Sequence, residues 1–294
     1  MPSFINTPVY ILNNVNVSEL GKFKKAYFLF LGIIYANIEK IFNKNLYCFF
    51  INILPFSNTK SRHKQNFYFL EDKYGKFYFT NKRFTRMVSG IEEFSKHLAS
   101  EYLIDKIDFQ DEDIFIDCGA NVGELIPYFY KNYPNLHYYA FEPDTEVFEA
   151  LKKNFSFQNG NLFSIGLSNQ NQDMRLYVDT KGADTSLEKT NSETFYTIKV
   201  KTLDSYNFKN VKLIKIDGEG HEKHILEGAK ETLSNTKYVS VDHSAEKGIN
   251  KTKTTPEVYT FLIDLGFTPI FNYDLRDITS VSYTHLTLPT TSSV

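Results

Sequence analysis

Two apolar segments, each ending in an aspartate and running into a glycine-containing turn, constrain the fold of this chain more than any other feature. Residues 113–124 read DIFIDCGANVGE, and residues 213–222 read LIKIDGEGHE. A short apolar run that breaks at glycine before a helical pattern is typical of a strand leading into a helix. Open α/β sheets bind ligands in the crevice at the carboxyl ends of such strands. The two segments therefore predict an acid-lined ligand site at one edge of an α/β sheet.

The same alternation of strand and helix patterns continues along the chain. Strands are expected at residues 113–117, 137–141, 161–166, 211–216, 237–242 and 268–272, and helices at residues 121–131, 144–155, 221–234 and 255–265. A hairpin formed by Met174–Val178 and Phe195–Val200 interrupts this series, and its polar connection is expected to form a loop over the site. Strands that alternate with helices predict a doubly wound, mostly parallel sheet of the Rossmann-like class.

The N-terminal part of the chain has a different pattern. Helical runs near residues 17–44 precede a hairpin signal at residues 67–80 and a further helical stretch at residues 91–107. This order predicts an α+β accessory region. The apolar run Ala26–Ile38 is shorter than the roughly 20 residues that span a membrane. It therefore predicts a buried or interface helix, with a helix lying on a membrane surface as the alternative.

The C-terminal segment, residues 280–294, differs in style from the rest of the chain. It is rich in Thr and Ser, whereas the preceding chain is rich in Lys, Asn and Phe, and it resembles translated adapter sequence. Three parts are therefore expected: an accessory region at residues 1–109, a ligand-binding domain at residues 110–279 and an adapter-derived tail at residues 280–294. In this interpretation the natural C-terminus is missing, and His285 has no functional role.

Composition narrows the class of partner. The net charge is −2 with both signs scattered along the chain, and no basic tract indicates nucleic-acid binding. Cys48 and Cys118 are too few for a disulfide framework or a zinc cluster, which favours a reducing cytoplasm. Cys118 lies inside the first glycine turn, where a small residue fits. These features predict a cytoplasmic globular protein that acts on a small molecule or glycan, and they leave the oligomeric state open.

The first glycine turn has the form Asp117-x-Gly119-x-x-x-Gly123, which differs from the G-x-G-x-x-G pattern of dinucleotide sites. Gly119 allows a sharp turn and a close approach to a ligand, and Asn121 is expected to cap the following helix. The anion at Asp117 repels a pyrophosphate but attracts an ammonium group. The turn therefore predicts a nucleotide-like cofactor with a positive charge and no phosphate, as in S-adenosylmethionine.

A second acid, Glu142, ends the next strand pattern. A carboxylate at that position can bind both hydroxyls of a ribose. Pro143 then stops the strand, and Asp144 or Thr145 is expected to start a helix. The alternative interpretation is that Asp117 and Glu142 only cap helices.

With these acids in place, the chain resembles the FkbM-type family of S-adenosylmethionine-dependent methyltransferases. The resemblance runs from about Tyr102 to Thr268, although Gly218 stands where the family more often has an apolar residue. It rests on residues 116–123, 140–143, 151–154, 202–204, 215–220 and 226–229. The resemblance implies the class I methyltransferase fold, S-adenosylmethionine as cofactor, and O-methylation, often of a sugar hydroxyl in a glycan or secondary metabolite.

Methyl transfer to a hydroxyl needs a group that accepts the hydroxyl proton. Asp217, at the end of the fourth strand, is the best-placed base. Glu219 and His221 follow on the turn, and the start of a helix favours the neutral, proton-accepting form of an imidazole. Asp242, next to His243 after the fifth strand, is a further candidate. Lys215, within the fourth strand, is expected to pair with a nearby carboxylate.

Two alternatives concern this second turn. Glu219 and Glu222 could serve only to stabilise the helix N-terminus, with His221 facing solvent. Asp217, Glu219, Asp242 and His243 could also supply ligands for Mg²⁺. Because nothing in their spacing requires an ion, no metal is assigned.

Two other functions compete with the methyltransferase. A nicotinamide-dependent oxidoreductase is disfavoured by Asp117 and by the missing dinucleotide pattern. A catalytically silent cofactor-binding or scaffold protein of a glycan-assembly complex would use the aromatic N-terminal region as its partner surface. Substitution of Asp117 and Asp217 separates an enzyme, which loses activity, from a scaffold, which keeps its partner.

Overall fold

A computed structural model of the chain describes residues 21–27, 30, 42–53, 57–178, 185–243, 245–250, 252–270 and 281–286. The chain divides into two compact units, residues 1–95 and residues 96–294. Most of the apolar run Ala26–Ile38 lies outside the described residues. Among the helices that the structure describes, none is both long and apolar enough to cross a bilayer.

The first unit contains a three-stranded antiparallel meander. Helix α1 (Lys44–Ile53) precedes strands β1 (Lys60–Lys64), β2 (Phe67–Asp72) and β3 (Gly75–Phe79), and a 3-10 helix follows at Lys82–Met87. Strands β2 and β3 form the expected hairpin. Its turn is closed by Asp72, whose carboxylate accepts hydrogen bonds from the backbone N–H groups of Tyr74 and Ile91. Helix α2 (Ile91–Glu101) contains the division between the units, and a 3-10 helix follows at Ile104–Lys106.

The second unit is built on a seven-stranded sheet. Its elements in chain order are β4 (Ile114–Cys118), α3 (Ile126–Asn132), β5 (His137–Phe141), α4 (Thr145–Asn154), β6 (Gly160–Phe163), β7 (Gly166–Leu167), β8 (Gln172–Val178), β9 (Thr185–Ser186), β10 (Phe195–Lys201), a 3-10 helix at Leu203–Tyr206, β11 (Val211–Ile216), α5 (Glu222–Glu227), α6 (Lys230–Leu233), β12 (Thr236–Asp242), β13 (Ala245–Lys247), β14 (Thr252–Lys253), α7 (Thr255–Asp264), β15 (Phe267–Ile270) and β16 (Val281–Leu286).

The strand order of this sheet is β15-β16-β12-β11-β4-β5-β6. The five strands from β12 to β6 are parallel, whereas β15 and β16 are antiparallel to their neighbours. From β4 the chain builds outward through β5 and β6 on one side, and later through β11 and β12 on the other. The strand order therefore reverses between β4 and β11, which is where open α/β sheets bind ligands.

Both faces of this sheet are covered by apolar side chains, because residues alternate between the faces along each strand. Phe115 and Leu213 pack in one core cluster with residues of α3 and α4. Ile116 and Ile214 pack in a second cluster with residues of α5, α6 and α7. The expected doubly wound, mostly parallel sheet is confirmed.

Three elements of the second unit differ from the sequence expectation. The helix expected at residues 221–234 is divided into α5 and α6, with turn residues 228 and 229 between them. The strand expected at residues 161–166 splits, because β6 ends at Phe163 and Gly166 joins a second sheet of order β7-β10-β8-β9. A side chain at Gly166 would come within 2.8 Å of Val200 Cγ1, so this pairing needs the glycine. The helix expected from residue 121 begins only at Ile126, since residues 121–125 form turns.

The hairpin expected within the second unit is confirmed, with β8 antiparallel to β10. Residues 179–184 of its connection lie outside the described part of the chain. Val281–Leu286, in the segment that resembles adapter sequence, forms the strand between β12 and β15. This pairing uses backbone N–H and C=O groups, which every residue but proline supplies in full.

Candidate active site

The two glycine turns meet where the strand order reverses. We name residues 119–123 the first glycine turn and residues 217–221 the second. Cys118 at the end of β4 lies opposite Ile216 at the end of β11, and Asp217 N–H donates to Cys118 O at 3.0 Å. Gly119 has a φ of +78°, and a Cβ atom there would lie 2.0 Å from Asp217 O. Only glycine fits at this contact, so Gly119 is required for the turns to approach each other.

The backbone N–H groups of the first glycine turn are largely used within the protein. Those of Gly119 and Ala120 both donate to Phe141 O at 3.0 Å, and that of Gly123 donates to Ala120 O at 2.9 Å. The N–H group of Asn121 donates to Glu142 Oε2 at 2.9 Å. Phosphate-binding loops instead direct such groups at the ligand. The turn therefore offers little to a pyrophosphate, which agrees with the absence of the dinucleotide pattern.

Asn121 does not cap the following helix, so that expectation is wrong. The residue lies in the left-handed region with a φ of +50°, and helix α3 begins five residues later with no side-chain cap. The backbone of Asn121 is engaged by Glu142 instead. The expected start of the next helix is confirmed, because Asp144 Oδ1 accepts from the N–H groups of Glu146 and Val147.

Glu142 lies at the end of β5 against the first glycine turn and is 5% exposed. Its Oε2 accepts from Asn121 N–H and its Oε1 from Asp144 N–H, at 2.9 and 2.8 Å. Burial raises the pKa of Glu142 to about 8, although the two backbone N–H groups act in the opposite direction. Each carboxyl oxygen keeps a further lone pair for a ligand hydroxyl.

Asp117 is buried in a network of charged and polar groups beneath the first glycine turn. Its Oδ2 accepts from Tyr138 OH at 2.7 Å, and its Oδ1 lies 3.1 Å from Lys215 Nζ. Lys215 Nζ also donates to Gly119 O at 2.8 Å. The cation beside Asp117 is thus Lys215, and contact between Asp117 and a cofactor ammonium stays a prediction.

Lys215 also connects the network to Asp217, whose Oδ2 lies 3.6 Å from its Nζ. Burial by itself lowers the pKa of Lys215, but the carboxylates of Asp117 and Asp217 outweigh it and raise the pKa above its ordinary value. Lys215 is therefore a fixed positive charge between the two strand ends. Pairing of Lys215 with nearby carboxylates, expected from the sequence, is confirmed.

Asp217 presents a partly exposed carboxylate beside the first glycine turn. Its Oδ2 accepts from Tyr102 OH at 3.0 Å, and its side chain is 27% exposed. Among the described residues, Oδ1 has no hydrogen-bond partner. Burial raises the pKa of Tyr102, and so do the charges of Asp217 and Asp242. Asp242, at the end of β12, therefore acts on the same tyrosine as Asp217. The structure thus brings two of the predicted acids to one corner.

His221 does not face solvent, so that alternative is wrong. The residue is 3% exposed. Its Nε2 lies 2.9 Å from Ser168 Oγ and its Nδ1 lies 2.7 Å from Glu188 Oε1. The pKa of His221 is lowered as expected, but the main cause is burial, while the Glu188 carboxylate opposes it. Both ring nitrogens are therefore occupied by protein groups.

The two glutamates of the second glycine turn have different surroundings. Glu222 Oε1 accepts from the N–H groups of Gly218 and Gly220, so it holds the turn that precedes the helix. Burial raises the pKa of Glu222 to about 7. Glu219 has a φ of +50°, and its backbone oxygen accepts from Ser186 Oγ at 2.7 Å. Each glycine turn thus holds one non-glycine residue in the left-handed region, a feature that clusters at functional sites.

Sequence reasoning missed three residues of this region: Tyr102, Ser168 and Glu188. They lie far along the chain from the residues they contact, with separations of 115, 53 and 33 positions. No motif surrounds them, so no local signal could have identified them. His243 is buried, with Nδ1 2.9 Å from Thr255 Oγ1. Burial raises the pKa of the Cys118 thiol, which agrees with a packing role.

The donor set fits S-adenosylmethionine better than a phosphorylated cofactor. Glu142 has lone pairs for two ribose hydroxyls. The two carboxylates of Asp117 and Asp217 outnumber the single cation of Lys215 between them, which favours a further positive charge beside the turn. The N–H groups of the turn are mostly consumed, as described above. A ligand with a ribose, a positive charge and no phosphate matches these groups.

Comparisons with known proteins agree with this chemistry. The family model described as the methyltransferase FkbM domain matches residues 117–269. Methyltransferase 1 of Beauveria bassiana is 26% identical over 166 residues, which cover 47% of this chain and 67% of that protein. The hexuronic acid methyltransferase AglP of Haloferax volcanii is 25% identical over 139 residues, which cover 45% of this chain and 56% of that protein. The chain thus spans little more than half the length of the second relative.

Among solved structures, the methyltransferase FkbM from Methylobacillus flagellatus KT is similar, with a TM-score of 0.45 and 15% identity. The similarity covers 71% of this chain and 56% of that one. The family model includes Asp117, Glu142 and Asp217 and extends over more than half of the chain. The chain therefore belongs to the FkbM methyltransferase family, with S-adenosylmethionine as its cofactor.

Proposed function

We propose that the protein transfers the methyl group of S-adenosylmethionine to an oxygen atom of a sugar unit, with Asp217 as the general base. The observation that carries this proposal is the position of the Asp217 carboxylate. Asp217 lies where the strand order reverses, with its backbone oxygen against Gly119, and its carboxylate is partly exposed. A base for the acceptor hydroxyl is needed at that place.

Glu142 would hold the ribose hydroxyls of the cofactor, and the first glycine turn would lie against the adenosine. When bound, the cofactor supplies an electrophilic methyl group on a sulfonium. Positioning alone contributes several kcal/mol to such a reaction once both reactants share a site. Gly119 contributes by allowing the two glycine turns to approach closely.

Asp217 would take the proton of the acceptor hydroxyl as the oxygen forms its bond to the methyl carbon. The oxygen would displace sulfur from the methyl carbon in the same step, and the electron pair of the broken carbon–sulfur bond would stay on the sulfur of S-adenosylhomocysteine. Tyr102 OH and Lys215 Nζ both approach Oδ2 of Asp217, so Oδ1 is the oxygen available for the proton. His221 is a weaker candidate because Ser168 and Glu188 occupy its two nitrogens.

The acceptor is proposed to be a sugar because one relative acts on a hexuronic acid. A hexuronic acid offers two kinds of oxygen. A hydroxyl must lose a proton and gives a methyl ether, whereas a carboxylate needs no base and gives a methyl ester. The partly exposed Asp217 carboxylate, which is available as a base, therefore favours a hydroxyl acceptor. We propose ether formation in the cytoplasm, where the buried free thiols of Cys48 and Cys118 stay reduced.

Release of S-adenosylhomocysteine in the presence of glucosides and glucuronides tests this proposal. We expect Asp217→Asn to lower turnover about 10²–10⁴-fold, the usual contribution of a general base. Asp113→Asn is a matched control, because Asp113 pairs with Lys212 at the opposite end of the same two strands, and its activity should be unchanged. The product should resist mild alkali, which cleaves methyl esters.

Two outcomes would contradict the proposal. An alkali-labile product with full activity in Asp217→Asn would show carboxyl methylation. If the protein binds S-adenosylmethionine but turns over no sugar acceptor, the alternative function as a catalytically silent scaffold protein is favoured.

A further inference from the structure

Glu188, His221 and His224 bring three metal-ligand groups together outside the proposed cofactor site. One ligand atom of each residue lies within 4.8 Å of those of the other two. His221 directly precedes helix α5 and His224 lies in its first turn, so the two imidazole rings face one another with centroids 4.6 Å apart. Ligand atoms around a tetrahedral zinc ion are separated by about 3.4 Å, given zinc–nitrogen bonds of about 2.1 Å. Small side-chain movements would therefore suffice to bind an ion.

The segment that carries Glu188 is already held against the second glycine turn. Ser186 Oγ donates to Glu219 O at 2.7 Å and accepts from Glu188 N–H at 3.0 Å. Two hydrogen bonds through one serine thus fix Glu188 beside His221 without any ion. A ligand set that is pre-positioned by the backbone loses little freedom on binding.

Each histidine also has a polar group beside one ring nitrogen, which leaves its other nitrogen for an ion. Ser168 Oγ, 1% exposed, lies 2.9 Å from His221 Nε2. Its hydroxyl can donate to or accept from that nitrogen, so it tolerates either tautomer. Asn169 Nδ2 and Glu227 Oε2 both lie 3.4 Å from His224 Nδ1. Such orienting partners are typical of metal-binding histidines.

Exposure increases from one side of the cluster to the other. The side chain of His221 is 4% exposed, that of Glu188 is 22% exposed and that of His224 is 38% exposed. An ion would therefore be held on the buried side and keep an open position towards solvent. Two imidazoles and one carboxylate suit zinc and other first-row divalent ions, whereas Mg²⁺ prefers oxygen ligands.

We infer that Glu188, His221 and His224 form a binding site for a first-row divalent transition-metal ion, of which Zn²⁺ is the appropriate probe. The ion would replace the direct hydrogen bond between Glu188 and His221 and join the segment at residues 185–188 to helix α5. This inference does not rest on methyl transfer, since it concerns binding alone.

Zinc titration of the full chain, stripped with a chelator and followed by calorimetry, tests the site. We expect one Zn²⁺ per chain, a visible absorption band when Co²⁺ is used instead, and no comparable binding of Mg²⁺. His224→Ala should weaken zinc binding by more than about 100-fold, because removal of an orienting partner alone costs about 10–100-fold. Ser168→Ala removes only an orienting partner, so it should weaken zinc binding by about 10–100-fold.

His137→Ala is the matched control, because His137 forms a 2.6 Å pair with Glu112 without belonging to this cluster. Its zinc affinity should equal that of the unmodified chain. The inference is overturned if the unmodified chain binds no zinc, or if a folded His224→Ala variant keeps the same affinity and stoichiometry. Circular dichroism establishes the folding of each variant. Failure of methyl transfer with zinc binding intact would affect the proposed function only.

Discussion

Lys215 is the residue on which the charges beneath the first glycine turn depend. It is 5% exposed and contacts Asp117, Asp217 and the backbone oxygen of Gly119. Two carboxylates would otherwise face each other across the strand ends with no cation between them. The sequence predicted that Lys215 pairs with a carboxylate, but the shared contact with Gly119 depends on how the two turns pack.

Replacement of Lys215 by methionine should destabilise the fold strongly. The change leaves the buried Asp117 carboxylate with Tyr138 but without a cation, and breaking a buried ion pair from one side costs about 3–5 kcal/mol. Urea unfolding followed by circular dichroism measures the loss. The double variant Asp117→Asn/Lys215→Met removes both charges and should recover a large part of the stability. Equal stability of the single and double variants would mean that the pair is not coupled.

Glu142 should make the stability of the cofactor-free protein depend on pH. Its pKa is about 8 in the folded protein and about 4.5 when unfolded. Between these values the folded state binds a proton that the unfolded state does not, so stability falls as the pH rises. At about 1.4 kcal/mol per pKa unit, the loss from pH 4.5 to 8 is on the order of 3–5 kcal/mol.

Chemical unfolding at pH 5 and pH 8.5 checks this expectation. Glu142→Gln removes the titrating group, so its stability should change less between the two values than that of the unmodified chain. The difference between the two proteins in how stability changes with pH isolates the contribution of Glu142 from that of other titrating residues. An identical pH dependence in both proteins would exclude Glu142 as the cause.

At the level of elements, the apolar periodicity predicted the five parallel strands and most helices, because burial on both faces of the sheet leaves a clear sequence pattern. It failed at residues 121–125, where a helical pattern gives way to turns that pack against Glu142. Local preference cannot reveal such a tertiary contact. Glu188 and Tyr102 were missed for the same reason, since each meets its partner only after the sheet has formed.

The two glycine turns should differ in their tolerance of a side chain. Gly119→Ala places a Cβ atom on Asp217 O and forces a left-handed φ on alanine, so we expect at least about 1–2 kcal/mol lower stability and at least tenfold weaker binding of S-adenosylhomocysteine. Calorimetric titration measures the affinity.

Gly218→Ala is the matched control on the second turn. The nearest atom there is Ile225 Cδ1 at 2.9 Å, at the end of a flexible side chain, followed by Glu222 N at 3.3 Å. A milder effect is therefore expected, and it would agree with the apolar residue more often found at this position in the family. Equal losses in both variants would contradict the special role of Gly119.

For the whole molecule, the doubly wound, mostly parallel sheet was predictable, because strands that alternate with helices leave a series of short apolar runs in the sequence. The order of the strands was not predicted, since β16 pairs between β12 and β15 although its segment resembles adapter sequence. The end of the accessory region was harder to predict from the sequence. The two compact units divide within helix α2, where no break in the sequence pattern marks a boundary. The adapter-derived origin of residues 280–294 stays a prediction, which the pairing of β16 neither requires nor opposes.

Ligand-dependent melting of the full chain tests the cofactor class at this scale. S-adenosylmethionine or S-adenosylhomocysteine at one hundred times its dissociation constant should add about 2.7 kcal/mol. For a chain of this size that corresponds to a rise of roughly 5–10 °C in melting temperature. NAD should have no effect, and a rise with NAD alone would argue for the oxidoreductase.

The internal hydrogen bonding of the first glycine turn also bears on selectivity within a cell. ATP and related metabolites share the adenosine group with the methyl donor and outnumber many cofactors. A phosphate that approached this turn would meet the Glu142 carboxyl and backbone groups already committed to Phe141. The bonds that shape the turn therefore also disfavour the binding of a phosphate there.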